Sequence, residues 1–211
     1  MRVASEQTLN NKTKLGVLLS GRGSNFVAIA DRIADGRLPG AEIAVVISNV
    51  AGAGGLAEAD KRGIQTMVLE SSGKRRAEHD FAVREALEAH GVELVILAGY
   101  LRLLTPEFVQ AYPMKILNIH PSLLPAFPGL EAQEQAWEHG VKVAGCTVHF
   151  VDEELDHGVI ILQRTVMVED GDDASSLAAR ILAVEHEAYS QGIAQVLSGE
   201  FVVSGRRWVK R

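Results

Sequence analysis

The sequence predicts an α/β fold, with a Rossmann-like, open and mostly parallel sheet and an appended antiparallel hairpin near the C-terminus. Two observations predict it. Runs of Val, Ile and Leu alternate with amphipathic stretches through residues 15–120, and the runs are apolar at nearly every position, as strands buried on both faces are. Beyond residue 140, two strand-like runs are separated only by a short acidic loop, which is typical of a hairpin.

The first part of the chain reads as a β-α-β-α succession, which favours right-handed crossovers and a doubly wound sheet. The predicted strands are 15–20, 42–48, 92–99 and 115–120. The predicted helices are 25–36, 53–63 and 76–91. Each helix ends at a glycine, Gly36, Gly63 or Gly91, where a left-handed residue commonly terminates a helix.

The last third has a different pattern. Runs 143–151 and 158–168 predict the hairpin, and "DGDDAS" predicts the start of a long helix from Ala174 to Leu197 because Asp caps helix N-termini well. The tail predicts a small two-stranded ribbon around Ser204 and Gly205. Residues 1–13 are polar and are expected to form a disordered extension, which leaves 14–211 as one domain.

Composition narrows the class of protein. The formal net charge of −6, from 21 basic and 27 acidic residues, disfavours binding to nucleic acid. No apolar run approaches the roughly 20 residues of a membrane span, and the N-terminus has no secretory signal. The single cysteine, Cys146, cannot form an internal disulfide, so a cytoplasmic protein is expected. Its apolar context is more typical of a buried strand residue than of a nucleophile.

A glycine loop, "LSGRGSNF" at 19–26, follows the first predicted strand and opens the first helix. Phe26 replaces the third glycine of a dinucleotide fingerprint, and the second strand ends in Ser48 and Asn49 without an acidic residue. Two interpretations remain open. The loop is either a site for one phosphate at the helix N-terminus or a tight turn without a ligand. The candidate phosphate-binding residues are Gly23, Ser24 and Asn25.

The stretch "ILNIHPSLLPAFPGL" at 116–130 ends an apolar run with two polar side chains. Asn118 and His120 are two residues apart on a strand, so they share one face. His suits proton transfer near neutral pH, and an Asn amide donates well to a developing oxyanion. Pro121 ends the strand, and the prolines after it are expected to stiffen the loop. The alternative is that the pair merely holds that loop in place.

An acidic loop joins the two hairpin runs. It carries Asp152 and Asp156, and a fold that brings Asp156 back to His120 would orient the imidazole and favour its charged form. No G-x-S-x-G elbow surrounds Ser122, which argues against a serine hydrolase. The histidines show no metal-binding spacing such as H-E-x-x-H, so no metal is expected.

Three segments, "SGRGSN", "LNIHPSLLPAFPG" and "GCTVHFVDEELDHG", together resemble the phosphoribosylglycinamide formyltransferase family over residues 14–197. The resemblance implies formyl transfer from 10-formyltetrahydrofolate, a co-substrate, to the amine of glycinamide ribonucleotide, without a metal. It implies Asn118, His120 and Asp156 as the catalytic residues and Gly23, Ser24 and Asn25 as the phosphate loop. It further implies folate contacts from Arg76, Leu101, Arg102, Leu103, Leu104, Asn118 and Asp152, and a nucleotide contact from Glu185.

The chain departs from the family pattern at Val159, where a proline is common, and at Glu131 and Gln133, where histidines are common. Alternatives from the residues remain a 10-formyltetrahydrofolate hydrolase, a methionyl-tRNA formyltransferase and a non-catalytic nucleotide-binding module. The two enzymes would each need a further domain that these residues do not supply. The expected partners are small-molecule substrates, with no nucleic acid and no membrane, and the expected state is a monomer or homodimer.

Overall fold

Residues 12–211 are described by the computed structural model, and the strands within that range form one mixed sheet. The strands are β1 (Thr13–Leu19), β2 (Ala41–Ser48), β3 (Thr66–Val68), β4 (Leu94–Leu97), β5 (Ile116–His120), β6 (Val143–Phe150), β7 (Ile160–Met167), β8 (Phe201–Ser204) and β9 (Arg207–Lys210). Their order across the sheet is β3-β2-β1-β4-β5-β6-β7-β9-β8.

The sheet changes character at β5. From β3 to β5 all neighbouring strands are parallel, whereas β5 pairs with β6, and β6 with β7, in the antiparallel sense. The terminal ribbon, β8 and β9, is antiparallel and joins β7 through one parallel pairing, Ile160 with Arg207. The predicted mostly parallel sheet with an appended hairpin is therefore confirmed.

The helices are α1 (Ser24–Ala34), α2 (Gly54–Lys61), α3 (Arg76–Ala89), α4 (Pro106–Ala111), α5 (Ala132–His139) and α6 (Ala174–Ser198). Gly36, Gly63 and Gly91 all have positive φ directly after the C-caps of α1, α2 and α3, as the sequence predicts. Helix α6 begins with a capping box, in which Asp173 and Ser176 exchange side-chain and backbone hydrogen bonds.

Two apolar clusters cover the two faces of the sheet. Strand β4 divides its side chains between them: Leu94 and Ile96 join the cluster that includes residues of α1 and α6, while Val95 and Leu97 join the cluster of α3 and α4. This alternation is the two-residue period of a strand, and it explains why a strand between two helical layers is apolar throughout.

Three elements were not predicted. Strand β3 is only three residues long, and α4 and α5 span six and eight residues, too short to show a clear period. The predicted extension falls mostly outside the described residues, although Thr13 already belongs to β1. No helix within residues 12–211 is both long enough and apolar enough to cross a membrane.

Tyr189 of α6 ties the helical layer to the sheet. Its side chain is fully buried, and its hydroxyl donates toward the carbonyl oxygens of Leu97 at 2.9 Å and Leu117 at 2.8 Å. These carbonyls belong to adjacent strands, β4 and β5. One buried hydroxyl therefore bridges the strand that carries Asn118 and His120 to its parallel neighbour.

Replacing Tyr189 with Phe should lower the free energy of unfolding by about 1–3 kcal/mol, because buried carbonyls lose their donor. Urea denaturation would measure the change. Tyr112→Phe is the matched control, since the buried Tyr112 hydroxyl has no partner within the described chain and its removal should cost little. Equal losses in the two variants would contradict the bridging role.

Candidate active site

Asn118, His120 and Asp156 lie together at the end of β5. Oδ2 of Asp156 is 3.5 Å from Nδ1 of His120 and accepts a 2.8 Å hydrogen bond from the backbone N–H of Gly129. The side chains of His120 and Asp156 are only 6% and 9% exposed. The acidic loop thus folds back onto the strand end, the arrangement that the sequence left open, and the pair is shielded from solvent screening.

Both ring nitrogens of His120 face oxygen atoms. Nε2 lies 2.8 Å from the carbonyl oxygen of Phe127, while Nδ1 faces Asp156. A carbonyl oxygen can only accept, so Nε2 donates to Phe127, while Nδ1 faces the carboxylate. The proton on Nε2 is then engaged by the loop itself, so His120 is less free than a residue simply projecting from a sheet edge.

Asn118 is oriented by a histidine that the sequence reasoning overlooked. Its Nδ2 lies 3.1 Å from Nε2 of His149, whose Nδ1 lies 2.8 Å from the Phe150 carbonyl oxygen. Nδ1 must donate to that carbonyl, so Nε2 accepts from the amide of Asn118. Burial lowers the pKa of His149, which keeps it in this neutral form. One N–H of Asn118 remains for another acceptor.

Thr147 holds the proline loop against the sheet. Its hydroxyl donates to the carbonyl oxygen of Ser122 and accepts from the Leu124 N–H and the Gln163 amide, at 2.7, 3.0 and 2.9 Å. The donor and both lone pairs of this fully buried hydroxyl are therefore used. Hydrogen bonding from β6 and β7 fixes the loop, in addition to the prolines.

Gly158 permits the acidic loop to pass close to the backbone of Phe150 at the end of β6. A Cβ at this position would overlap the carbonyl oxygen of Phe150, so the chain cannot pass here with a larger residue. Two residues earlier, Asp156 adopts the left-handed conformation with φ 50°, which non-glycine residues rarely do. Such a conformation persists only where surrounding contacts impose it, and here those contacts are with His120 and Gly129.

The glycine loop borders a small cavity of about 140 Å³. Gly21 to Asn25 line it together with Ala98 and Gly99, which follow β4. Helix α1 starts here without a side-chain cap, so backbone N–H groups of its first turn have no side-chain partner. Gly23 has φ 76° and packs so closely on Gly55 that an added Cβ would lie 2.7 Å from the Gly55 Cα. The cavity therefore suits one small anion.

Glu185 of α6 lies beside this loop. Its Oε2 accepts a 2.8 Å hydrogen bond from the amide of Asn25, and the residue is 5% exposed. Burial raises the pKa of Glu185, opposed by the hydrogen bond from Asn25. Two candidates from distant parts of the sequence, one from the phosphate loop and one from the C-terminal helix, are thus in contact.

The remaining candidates lie along the same edge or at the start of α3. Leu101 and Leu103 are 71% and 52% exposed in the irregular segment after β4, with Arg102 and Leu104 half-buried between and after them. Arg76 is exposed at the first residue of α3. Asp152 bonds to His157 at 2.9 Å rather than to the residues around His120.

The three departures from the family pattern lie outside the Asn118, His120 and Asp156 cluster. Glu131 caps α5 in a left-handed conformation and is exposed, and Gln133 is half-buried in the first turn of that helix. Val159 packs against the main apolar cluster, and its carbonyl oxygen accepts from the Phe150 N–H.

His149 and Thr147 could have been found only from strand register. They lie directly opposite Asn118 and His120 on the antiparallel neighbour β6, so all four share one face. The alternation in "GCTVHFV" places them on one face of β6 but does not reveal which residues of β5 they oppose.

Residues 13–193 match the formyl transferase family. A phosphoribosylglycinamide formyltransferase of Bacillus subtilis is 42% identical over 87% of this chain and 94% of its own length. The chain belongs to the phosphoribosylglycinamide formyltransferase family. A human trifunctional purine biosynthetic protein adenosine-3 is 45% identical over 89% of this family member, which spans only 19% of that longer protein.

Solved structures agree with this assignment. Glycinamide ribonucleotide transformylase 1 from Symbiobacterium toebii superposes with a TM-score of 0.92 at 50% identity, covering 95% of this chain and 94% of the other. A formyltetrahydrofolate deformylase from Pseudomonas syringae has a TM-score of 0.89 at 28% identity, and the match covers 94% of this chain and 66% of that protein. The fold is thus shared by a protein named as a transformylase and one named as a deformylase.

Replacing His149 with Gln should make the fold less sensitive to acid. A folded-state pKa below the ordinary value of 6.5 means that the unfolded chain binds the proton more readily. The contribution of His149 to the free energy of unfolding is then fully present above about pH 6.5 and is lost as the pH falls below it. Urea midpoints at about pH 7.5 and 5.5 should differ less for this variant than for the parent.

The His90→Gln variant is the control for this measurement, because His90 follows α3 and its ring bonds to the Ala86 carbonyl oxygen of that helix, outside the buried cluster. His186, whose pKa burial also lowers, stays in both variants and contributes equally. If the two variants showed the same acid sensitivity, His149 would not be the buried neutral group described above.

Proposed function

We propose that this chain transfers the formyl group of 10-formyltetrahydrofolate to the amine of glycinamide ribonucleotide, with residues 14–211 acting as one domain. The observation that carries the proposal is the Asn118, His120 and Asp156 cluster at the edge of the sheet where the anion-sized cavity lies. The family assignment and the names of the similar proteins support the same reaction. We expect a cytoplasmic monomer or homodimer.

The reaction needs no covalent enzyme intermediate. The substrate amine forms a bond to the formyl carbon, and the carbonyl electron pair moves to oxygen, giving a tetrahedral oxyanion. The free N–H of Asn118 and a protonated His120 stabilise that oxygen. Collapse breaks the bond to N10 of the folate, which takes up a proton as the former amine loses one. Asp156 orients His120 and assists the proton transfer through a water molecule.

His120 must change partner during the cycle. Its Nε2 proton bonds to the Phe127 carbonyl oxygen, and this bond has to yield before Nε2 donates to the formyl oxygen. Hydrogen bonds of this kind commonly rearrange when substrate binds. Asp156 stays on the other side of the ring, so the imidazole keeps one fixed contact while it exchanges the other.

The two substrates occupy neighbouring parts of the edge. Gly23, Ser24 and Asn25 bind the ribonucleotide phosphate in the cavity at the start of α1, and Glu185 contacts the same substrate. Leu101, Arg102, Leu103 and Leu104 line the folate site, with Asn118, Asp152 and Arg76 as further contacts. Holding the amine against the formyl group supplies much of the acceleration.

A second candidate is hydrolysis of the formyl-folate, with water in place of the amine. The similarity to a formyltetrahydrofolate deformylase favours it, because the fold there is nearly the same. The uncapped helix start and the anion-sized cavity favour the phosphate-bearing amine, since water needs no such site.

Turnover of 10-formyltetrahydrofolate should depend on the amine. We expect the rate of tetrahydrofolate formation to rise at least about 100-fold when glycinamide ribonucleotide is added, because proximity provides most of the gain. Absorbance measurements of the folate product, with and without the amine, test this. Equal rates would instead establish the hydrolase.

His120→Ala is the site control in the same assay and should reduce the amine-dependent rate by about 100-fold or more. His90→Ala, at the C-cap of α3, should leave it unchanged. A fully active His120→Ala enzyme with an unaltered unfolding curve would remove His120 from the mechanism.

Glu185→Gln should stabilise the fold near neutral pH and weaken substrate binding. Because the pKa of Glu185 is raised, its contribution to stability is present below the unfolded value of 4.5 and is lost as the pH rises above it. Gln keeps an acceptor for Asn25 without the buried charge, so the variant should be the more stable one at about pH 7.5.

The same variant should raise KM for glycinamide ribonucleotide about tenfold, because a charged contact to that substrate is lost. Urea midpoints and initial rates provide both measurements. Glu187→Gln, on an exposed face of α6, is the matched control. A variant that is less stable at high pH, or that keeps the parent KM, would contradict this role for Glu185.

A further inference from the structure

Ser20, the first residue after β1 and part of the glycine loop, makes a hydrogen bond to the segment proposed to bind folate. Its Oγ accepts from the backbone N–H of Leu101 at 2.9 Å, and its own N–H donates to the Gly99 carbonyl oxygen at 3.0 Å. Two hydrogen bonds therefore join one residue at the end of β1 to both sides of Tyr100, just beyond β4.

The Ser20 hydroxyl is also the middle of a chain of hydrogen bonds that runs in one direction. Leu101 N–H donates to Ser20, the Ser20 hydroxyl donates to Oδ1 of Asn49 at 2.6 Å, and Nδ2 of Asn49 donates to the Ser71 hydroxyl at 3.2 Å. The side chains of Ser20 and Asn49, in the middle of the chain, each accept one hydrogen bond and donate another, so the bonds polarise and strengthen one another. The chain links the loops that follow β1, β2, β3 and β4.

The far end of the folate segment is fixed independently. The N–H of Thr105 donates to the buried carboxylate of Asp80 at 2.7 Å. Residues 101–104 between these two points have no regular secondary structure. Their position is therefore set by Thr105 at one end and by Ser20 at the other.

The cavity at the glycine loop shares this attachment. Gly99, which bonds to Ser20, also lines the cavity together with Gly21 and Arg22. An anion that orders the glycine loop therefore also orders Ser20, and through it the N–H of Leu101. Conversely, a ligand that orders residues 101–104 orders Ser20 and, through Gly99, the lining of the cavity.

We propose that Ser20 is a positioning residue that couples the two substrate sites, so that each substrate binds more tightly when the other is present. The coupling rests on the proposed function, because it assumes a phosphate-bearing amine at the glycine loop and a folate at 101–104. Thermodynamic linkage requires the coupling factor to be the same in both directions.

The test measures binding in a complex that cannot react. Tetrahydrofolate, which carries no formyl group, is titrated with the full chain by calorimetry in the absence and presence of saturating glycinamide ribonucleotide. The ratio of the two dissociation constants is the coupling factor. We expect roughly a 5- to 10-fold factor in the parent chain, within the usual range of coupling energies.

Ser20→Ala should reduce that factor to about one, since loss of the hydroxyl breaks both the Leu101 and the Asn49 bonds. Ser20→Thr retains a hydroxyl and should restore most of the factor. Ser20→Cys keeps the bulk with a poor hydrogen-bonding group and should behave like the alanine variant, which covers the case in which Ser20→Ala does not fold.

Ser48→Ala is the matched control. Ser48 ends β2 at the same edge and its buried hydroxyl bonds only within residues 48–50, so its loss should affect stability without changing the coupling factor. A Ser20→Ala chain with the parent factor, or a parent factor of one, would overturn the proposal. If the parent chain bound neither ligand and transferred no formyl group, the proposed function itself would fail.

Discussion

The position of β5 between a parallel and an antiparallel neighbour determines most of what this chain does. Parallel pairing with β4 directs the end of β5 to the edge where the glycine loop lies. Antiparallel pairing with β6 sets His149 and Thr147 opposite Asn118 and His120. A sheet that was parallel throughout would place only strand ends at this edge, whereas the reversal supplies side chains along the length of a neighbouring strand.

Polar groups around the site are largely satisfied by other groups of the protein itself. Thr147 uses its donor and both lone pairs, and His149 is committed to Phe150 on one side and Asn118 on the other. Groups held in this way lose little freedom when the substrate binds, which is the basis of electrostatic preorganisation. The hydrogen bond between His120 and Phe127 is the exception, and it gives the proline loop a direct influence on the histidine.

Sequence reasoning succeeded where a local pattern has one structural meaning. Glycines at 36, 63 and 91 marked helix ends because left-handed backbone there favours glycine, and continuous apolar runs marked strands buried on both faces. It named Asp156 as a candidate neighbour of His120, and the structure brings the two together, but His149 was missed because its partner is decided by the pairing register of β5 and β6. The three-residue β3 and the six-residue α4 were missed because they are shorter than any period that could reveal them.

Cys146 provides a chemical probe of local unfolding in this chain. It is the single thiol among 211 residues, it is fully buried on β6, and burial raises its pKa to about 12. Alkylating reagents attack only an accessible thiolate, so they reach Cys146 only when the sheet next to Thr147 opens. The rate of alkylation therefore reports how often β6, the strand next to Asn118 and His120, opens locally, and no label has to be introduced.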